Sequence, residues 1–275
     1  METILIATDF SSAATNALMY GADLAKYLSA KIILVNAFSI PLGGYGSMVP
    51  YELLNEVQKA AVGTLRENRK ELIARMGYDP GIEIEAEPGT VHSVVNDAIN
   101  KYGAELVVMG MVGEAGPFKR SVIGSNALNA GRSLSVPVII VPETFHYVPI
   151  KKISFACDIN HLEETTLLHM TKALCVLFNA QLEIVNVIQN QSEPVTAPLA
   201  HEVVEHITKQ IAHKTVTINS EDPGLALEEY FKVHKADLVI LNPKKHSLFN
   251  KLFGQSVTRK LVFFLNMPML LIPST

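Results

Sequence analysis

A pair of α/β domains, each a five-stranded parallel sheet flanked by helices, is what the sequence predicts, and three observations carry that expectation. The chain is 275 residues long, which suits about two domains of ordinary size. Its apolar residues fall in short, solid, β-branched runs separated by stretches with a 3.6-residue period, the alternation that builds a parallel, doubly wound sheet covered on both faces. The whole pattern then occurs a second time, about 150 residues further on.

In the first repeat the strands fall near residues 3 to 8, 31 to 37, 82 to 87, 106 to 109 and 137 to 141. Between them, Ala14, Ala17, Leu18, Gly21, Ala25 and Leu28 form one helical face, and Val91, Val94, Val95, Ala98, Ile99 and Tyr102 form another. A long loop and a further helix separate strands 2 and 3. Ser11 or Ser12, Thr90 and Ser125 stand where N-caps belong, each with an oxygen for unpaired helix N–H groups.

The repeat is read directly from four matched segments in the same order. Ile4 to Asp9 (ILIATD) matches Ile153 to Asp158 (ISFACD), and Ala30 to Ala37 (AKIILVNA) matches Ala180 to Val187 (AQLEIVNV). Ala104 to Met109 matches Ala236 to Leu241, and Val136 to Pro142 matches Met267 to Pro273. The boundary lies near Pro142 to Pro149, with domains expected at 1–145 and 146–275. The short, apolar closing strands are expected to pair edge to edge into an internal pseudo-dimer, and two chains are able to associate further.

Composition narrows the function. A net charge of −4 leaves no strong electrostatic attraction to nucleic acid or anionic lipid. The N-terminus has Glu2 where a signal peptide carries basic residues, and the apolar stretch Leu261 to Ile272, broken by Asn266 and Pro268, is too short to span a bilayer. Two cysteines, Cys157 and Cys175, exclude a disulfide framework and point to a reducing compartment, the cytoplasm.

In such a sheet a ligand binds beyond the carboxyl ends of the strands, where the strand order reverses. The first repeat has Asp9 at the end of strand 1 and Gly110-Met111-Val112-Gly113 at the end of strand 4, followed by Gly124-Ser125-Asn126 at the opening of a helix, a spacing of G-x2-G-x10-G-S. A missing Cβ admits a ligand close to the backbone, and the unpaired N–H groups of a helix N-terminus suit phosphate. Lys119 and Arg120 lie in the intervening loop, where they add charge-assisted bonds. The plainer alternative is that the glycines serve tight turns only. Asp9 likewise has two readings, ligand contact or a cap for the first helix, because Asp158 persists in the second repeat.

These features resemble the universal stress protein family in its tandem form. The likeness runs through both repeats and is carried by the opening Ile4-Leu5-Ile6-Ala7-Thr8-Asp9-Phe10-Ser11, by Ala104 to Gly110, by the glycine motif, and by the closing Val136 to Pro142. The resemblance implies two Rossmann-like domains of the adenine nucleotide alpha hydrolase-like kind. It also implies ATP, or ADP or AMP, in the first repeat, with Mg2+ as a companion of the triphosphate. Ala7, Thr8 and Asp9 would lie beside the adenosine part, with Ala37 meeting adenine. Gly110 and Gly113 would flank ribose and the first phosphate, Gly124, Ser125 and Asn126 would hold the remaining phosphates, and Met109 counts among the cofactor-binding residues. The family's ATP-binding members carry G-x2-G-x9-G-S/T, so this chain has one residue more in the loop.

The second repeat has Asn242-Pro243-Lys244-Lys245-His246 and Gly254-Gln255-Ser256 in place of the motif. Side chains at 242 and 245 would occupy the ligand's space, so no nucleotide is expected there. Lys244, Lys245 and Lys251 read as solvated loop charges or as a site for another anion. Enzymes of nucleotide chemistry on related folds carry a Ser-Gly-Gly loop after strand 1 or paired His-Ile-Gly-His motifs, and Asp9-Phe10-Ser11-Ser12 is neither. The expectation is therefore a cytoplasmic, ATP-binding stress-response protein with little or no catalysis. The alternatives are a scaffold or ligand-binding protein and a slow ATP hydrolase. His201, Glu202 and His206 have H-E-x3-H spacing, unlike the i, i+4 pair of a zinc helix, and fit a polar helix face. The loop Pro41 to Gly46 is a lid or a connector.

Overall fold

In the computed structural model, residues 1–39, 50–112, 125–157, 159, 165–188, 198–241 and 266–272 are described. They divide into two units, Met1–Tyr147 and Val148–Thr275.

The first unit runs β1 (Thr3–Ala7), α1 (Ser12–Leu28), β2 (Lys31–Phe38), α2 (Tyr51–Met76), β3 (Ile82–Pro88), α3 (Val91–Tyr102), β4 (Leu106–Met111), α4 (Ser125–Ser133) and β5 (Val138–Pro142). The strand order is β3-β2-β1-β4-β5, and every pairing is parallel. Helices α1 and α2 pack together on the sheet, while α3 and α4 pack against one another. With helices on both faces, all five residues of β1 and of β5 are buried, which is why these strands, Thr3 apart, are apolar rather than alternating.

Helix α1 begins at Ser11, whose side chain accepts from the Ala14 N–H at 3.2 Å. Thr90 caps α3 in the same way, accepting from Ser93 N–H at 3.1 Å. The predicted face of α1 is buried at Ala14, Ala17, Leu18, Gly21 and Ala25, and that of α3 at Val94, Val95, Ala98 and Ile99. Small residues let α1 sit close: a Cβ on Gly21 would lie 2.6 Å from Ile6 Cδ1. Strand β4 continues two residues beyond the expected end, through Gly110 and Met111, because both still pair with β5, at Val141 and Pro142.

The segment after β5 is held rather than loose. On the α1 stripe of Ser12, Asn16 and Tyr20, Ser12 Oγ donates to the Glu143 carboxylate. Asn16 Nδ2 donates to the carbonyls of Pro142 (2.9 Å) and Phe145 (2.8 Å), and the Tyr20 ring meets those of Phe145 and Tyr147.

Helices α2 and α3 end on glycines in the left-handed region, Gly77 at φ +81° and Gly103 at φ +65°, where α1 ends on Ser29 at φ 55°. A Cβ in that region costs about 1–2 kcal/mol, and the freer unfolded chain of a glycine takes back part of it. Ser29→Gly is therefore expected to stabilise the protein by roughly 0.5 kcal/mol, read as a raised denaturation midpoint at unchanged slope.

The second unit runs β6 (Lys152–Cys157), α5 (Thr165–Phe178), β7 (Gln181–Ile188), α6 (Pro198–Thr208), β8 (His213–Asn219), α7 (Pro223–Val233), β9 (Leu238–Leu241) and β10 (Met269–Leu271). Its order, β8-β7-β6-β9-β10, repeats that of the first unit, again with parallel pairings. Asn179, at φ 49°, stands after α5 where Ser29 stands after α1. On α6, Glu202 and His206 are exposed while Val204 and Ile207 are buried, the polar face expected of that helix. Among the described residues no helix is long and apolar enough to cross a membrane.

One row of the sheet distinguishes the two units. The register aligns Leu5, Ile33 and Glu83 across β1, β2 and β3, and Ser154, Glu183 and Lys214 across β6, β7 and β8. Where the first unit has two aliphatic side chains, the second buries a carboxylate. Glu183 is 1% exposed and accepts from Ser154 Oγ at 2.8 Å; Lys152 Nζ pairs with its Oε2 at 2.9 Å and Lys214 Nζ with its Oε1 at 2.7 Å. Burial pushes its pKa up, but the bonds from Lys214, Lys152, Ser154 and Tyr230 prevail and bring it down to about 2.

Candidate functional site

Strand β1 leads through α1 to β2 on one side of the sheet, and its other neighbour, β4, continues outward to β5, so the order reverses between β1 and β4. Chain leaving the two strands on opposite sides opens a crevice at their carboxyl ends. A cavity of about 270 Å3 lies there. Its walls come from four places: Ala7, Thr8 and Asp9 at the end of β1; Ser11, Ala13 and Ala14 at the start of α1; Val35 and Ala37 of β2; and Met109, Gly110 and Val112 at the end of β4. Val91 and Val95 of α3 and Ala127 of α4 complete it.

Six of the ten residues singled out in the sequence, Ala7, Thr8, Asp9, Ala37, Met109 and Gly110, thus line one cleft. Ser125 and Asn126 form the first turn of α4, and Ala127, the next residue, reaches the cleft wall. Gly113 and Gly124 lie outside the described residues, as do Lys119, Arg120, the loop Pro41 to Gly46, and, in the second unit, Asp158, Asn242, Lys244, Lys245, Lys251 and Gly254.

The turn from β1 into α1 is built by side chains. Thr8 N–H donates to Val35 O at 2.9 Å, extending the strand pairing by one step. The Thr8 hydroxyl accepts from Phe10 N–H at 3.0 Å, and Asp9 Oδ1 accepts from Ser11 N–H at 3.0 Å. Phe10 adopts φ 63°, a conformation uncommon outside glycine. Asp9 therefore shapes the turn, is exposed, and is not the helix cap; that position belongs to Ser11. The capping alternative for Asp9 falls because the residue precedes the cap by two positions.

Gly110 has a structural reason beyond ligand access. A Cβ there would lie 2.3 Å from Ala13 O and 2.7 Å from Ala14 N, inside the first turn of α1. The glycine lets the helix start press against β4, which brings Ala13 and Ala14 to the cleft.

Chemically the cleft has an apolar side, formed by Val35, Val91, Val95, Met109 and Val112, and a polar side of Thr8, Asp9 and Ser11 beside a helix N-terminus. The valines of α3 were legible only as a helical face, and nothing in their spacing marks them as cleft residues. Asn36 is a further residue of the site, outside the glycine motif. It is 4% exposed and its Nδ2 donates to Thr8 O at 2.8 Å. The signal for it is a polar residue at the same place in both otherwise apolar second strands, Asn36 and Asn186. In the second unit, Cys157 and Cys175 are buried, and burial pushes the Cys175 thiol up to about 11, away from nucleophilic use.

The fold and cleft define a doubly wound α/β protein with its pocket at the strand-order reversal. Residues 1–142 match the model of the universal stress protein family, and the chain belongs to that family. No curated protein matches it. Among solved structures it is similar to a universal stress protein from Archaeoglobus fulgidus DSM 4304, with 16% identity, 98% of each chain covered and a TM-score of 0.75. A protein of unknown function from Pseudomonas aeruginosa PAO1 has 14% identity, with 99% of this chain and 92% of its own covered and a TM-score of 0.56. A universal stress protein in complex with cAMP is 22% identical over 51% of this chain and 96% of its own, at a TM-score of 0.38.

Proposed function

We propose that the first unit binds an adenine nucleotide, ATP before ADP or AMP, and that occupancy rather than turnover is the protein's output in a cytoplasmic stress response. The observation that carries this reading is the cleft that joins Thr8, Asp9, Ala37, Met109 and Gly110 to the opening turn of α4. Its apolar side suits the faces of adenine, and Ala37 meets the base. Its polar side suits ribose, which is assigned to Gly110 and Gly113, with Met109 among the ligand-binding residues. Ser125 and Asn126 open α4, a helix N-terminus whose N–H groups and dipole favour phosphate, and Gly124 is assigned to the phosphates with them. The donor set thus fits a nucleotide, and Mg2+ would accompany a triphosphate. Asp9 is the titratable residue lining the cleft among those described, and its bond to Ser11 N–H ties it to the turn. It is assigned to ligand contact rather than proton transfer.

The second unit is read as a universal stress protein domain with a degenerate glycine motif that binds no nucleotide. The two closing strands, β5 and β10, are assigned to an internal pseudo-dimer, with a homodimer as the next level of assembly.

Titration calorimetry of the full chain with ATP, ADP, AMP and cyclic AMP tests the reading, followed by overnight product analysis. Gly124→Val is expected to abolish binding, at least a hundredfold in Kd, with an unchanged circular dichroism spectrum, because a side chain would fill the space of the phosphates. Wild-type binding together with normal binding by Gly124→Val removes the phosphate assignment. No binding by the wild type leaves the scaffold, and turnover within seconds makes the protein an enzyme.

A further inference from the structure

The second unit carries a polar cluster where the first has none, at the opposite end of the strands from the kind of cleft described above. Lys152, Gln181 and His213 are the first residues of β6, β7 and β8, and a cavity of about 190 Å3 lies among them, walled also by Leu182, Glu183 and Lys214. By the matched segments and the strand register, Ser154, Glu183 and Tyr230 stand where the first unit has Leu5, Ile33 and Ala98. Three buried apolar residues are thus exchanged for a hydroxyl, a carboxylate and a phenol that meet at Glu183. A buried ion cluster is no more stabilising than apolar residues of the same volume, so stability alone does not account for the exchange.

What the cluster does is hold two ammonium groups in place at a cavity wall. Lys152 Nζ lies 2.9 Å from Oε2 of Glu183 and Lys214 Nζ 2.7 Å from Oε1, so the pair is spaced to meet the two oxygens of one carboxylate. Each ammonium has three N–H groups, and Glu183 leaves donors over on both. Two cations and one anion also leave the cluster with an excess positive charge, and Lys214, with its side chain 63% exposed, is open to solvent. His213 is engaged elsewhere, with Nε2 3.3 Å from the Glu205 carboxylate and Nδ1 3.1 Å from Ile211 O, and serves as wall. We propose that this cavity of the second unit binds a small organic acid, whose carboxylate bridges Lys152 and Lys214 on the side away from Glu183. Pockets for drug-sized ligands begin at roughly 300 Å3, so the occupant is an acid of a few carbons, its chain along Leu182. Glu183 is the positioning residue that fixes the two lysines. The inference is independent of the nucleotide reading of the first unit.

The experiment is an NMR titration of the full chain with butyrate, with inorganic phosphate and with sodium chloride at matched ionic strength, read at the side-chain signals of Lys152 and Lys214. Butyrate is expected to shift both signals saturably, with a Kd of about 1–10 mM, and chloride to shift neither. Lys214→Met and Lys152→Met are each expected to raise that Kd about tenfold, the loss of one charge-assisted bond. Lys70→Met, which removes an exposed lysine of the first unit, is expected to leave it unchanged. No saturation by about 50 mM butyrate overturns the proposal, as does a wild-type Kd in either folded lysine variant of the cavity. Should one of those two variants fail to fold, the other reads the same loss. Phosphate bound more tightly than butyrate makes the pair a site for any anion and overturns the organic acid.

Discussion

Gly110→Ala is expected to destabilise the protein by about 3 kcal/mol, the upper range for forcing a methyl group into a filled core. The obstacle is backbone: Ala13 O, Ala13 C and Ala14 N all lie within 2.7 Å of the new Cβ. Relief requires α1 to withdraw from β4 at the point where its first turn lines the cleft. At the scale of a unit this size, such a loss lowers the melting temperature of the first transition by roughly 10 °C. Gly21→Ala provides the contrast. Its Cβ meets Ile6 Cδ1 at 2.6 Å, the far end of a side chain, and alanine gains up to about 1 kcal/mol of helix propensity over glycine. A melting temperature for Gly110→Ala no lower than that of Gly21→Ala would show that the helix start is free to move, and the close approach of α1 to β4 would lose its structural role.

Glu183→Ala is expected to cost about 1–3 kcal/mol, because it takes the acceptor from the buried Ser154 hydroxyl and empties the place of a buried side chain, while Lys152 and Lys214 reach solvent. Lys152 and Lys214 point their ammonium groups at one carboxylate, and Ser154 and Tyr230 complete its bonds. The effect has a pH signature. The folded-state pKa is held down to about 2, below the ordinary value of 4.5, so the group binds its proton more readily in the unfolded chain. Its contribution is fully present above pH 4.5 and drains away as pH falls toward 2. Glu183→Gln, which has no such titration, is expected to flatten that part of the stability profile in acid denaturation. Restoring the first unit's residues by Ser154→Leu with Glu183→Ile is expected to recover most of the loss, since an apolar pair of fitting volume replaces a buried ion cluster at little or no cost. A Glu183→Gln profile that still falls as steeply between pH 4.5 and 2 would assign the acid sensitivity to other carboxylates.

The location of the cleft was legible in advance, because parallel topology and the rule of strand-order reversal both follow from the alternation of elements. So were the residues at strand ends, Ala7, Thr8, Asp9, Ala37, Met109 and Gly110, since a strand end is a position along the chain. Val91 and Val95 were legible as a helical face, but their share in the cleft depends on where α3 crosses the sheet. Asp9 kept two readings in the sequence, and one backbone bond to Ser11 removed the cap from its choices.

By itself the sequence determined the repeated alternation of strands and helices, the core faces, a cap at Ser11 or Ser12 and another at Thr90, and the asymmetry between the G-x2-G-x10-G-S of the first repeat and its loss in the second. These are local or periodic properties, set by neighbours a few positions apart. Tertiary structure alone decided that Gly110 answers to Ala13, that Glu183 answers to Lys152 and Lys214, and that Asn36 holds Thr8 while Asn186 holds Ile159. Each of these pairs joins residues brought together by strand register and helix docking, and a single amide or methyl group has its meaning only once those distances close to within contact.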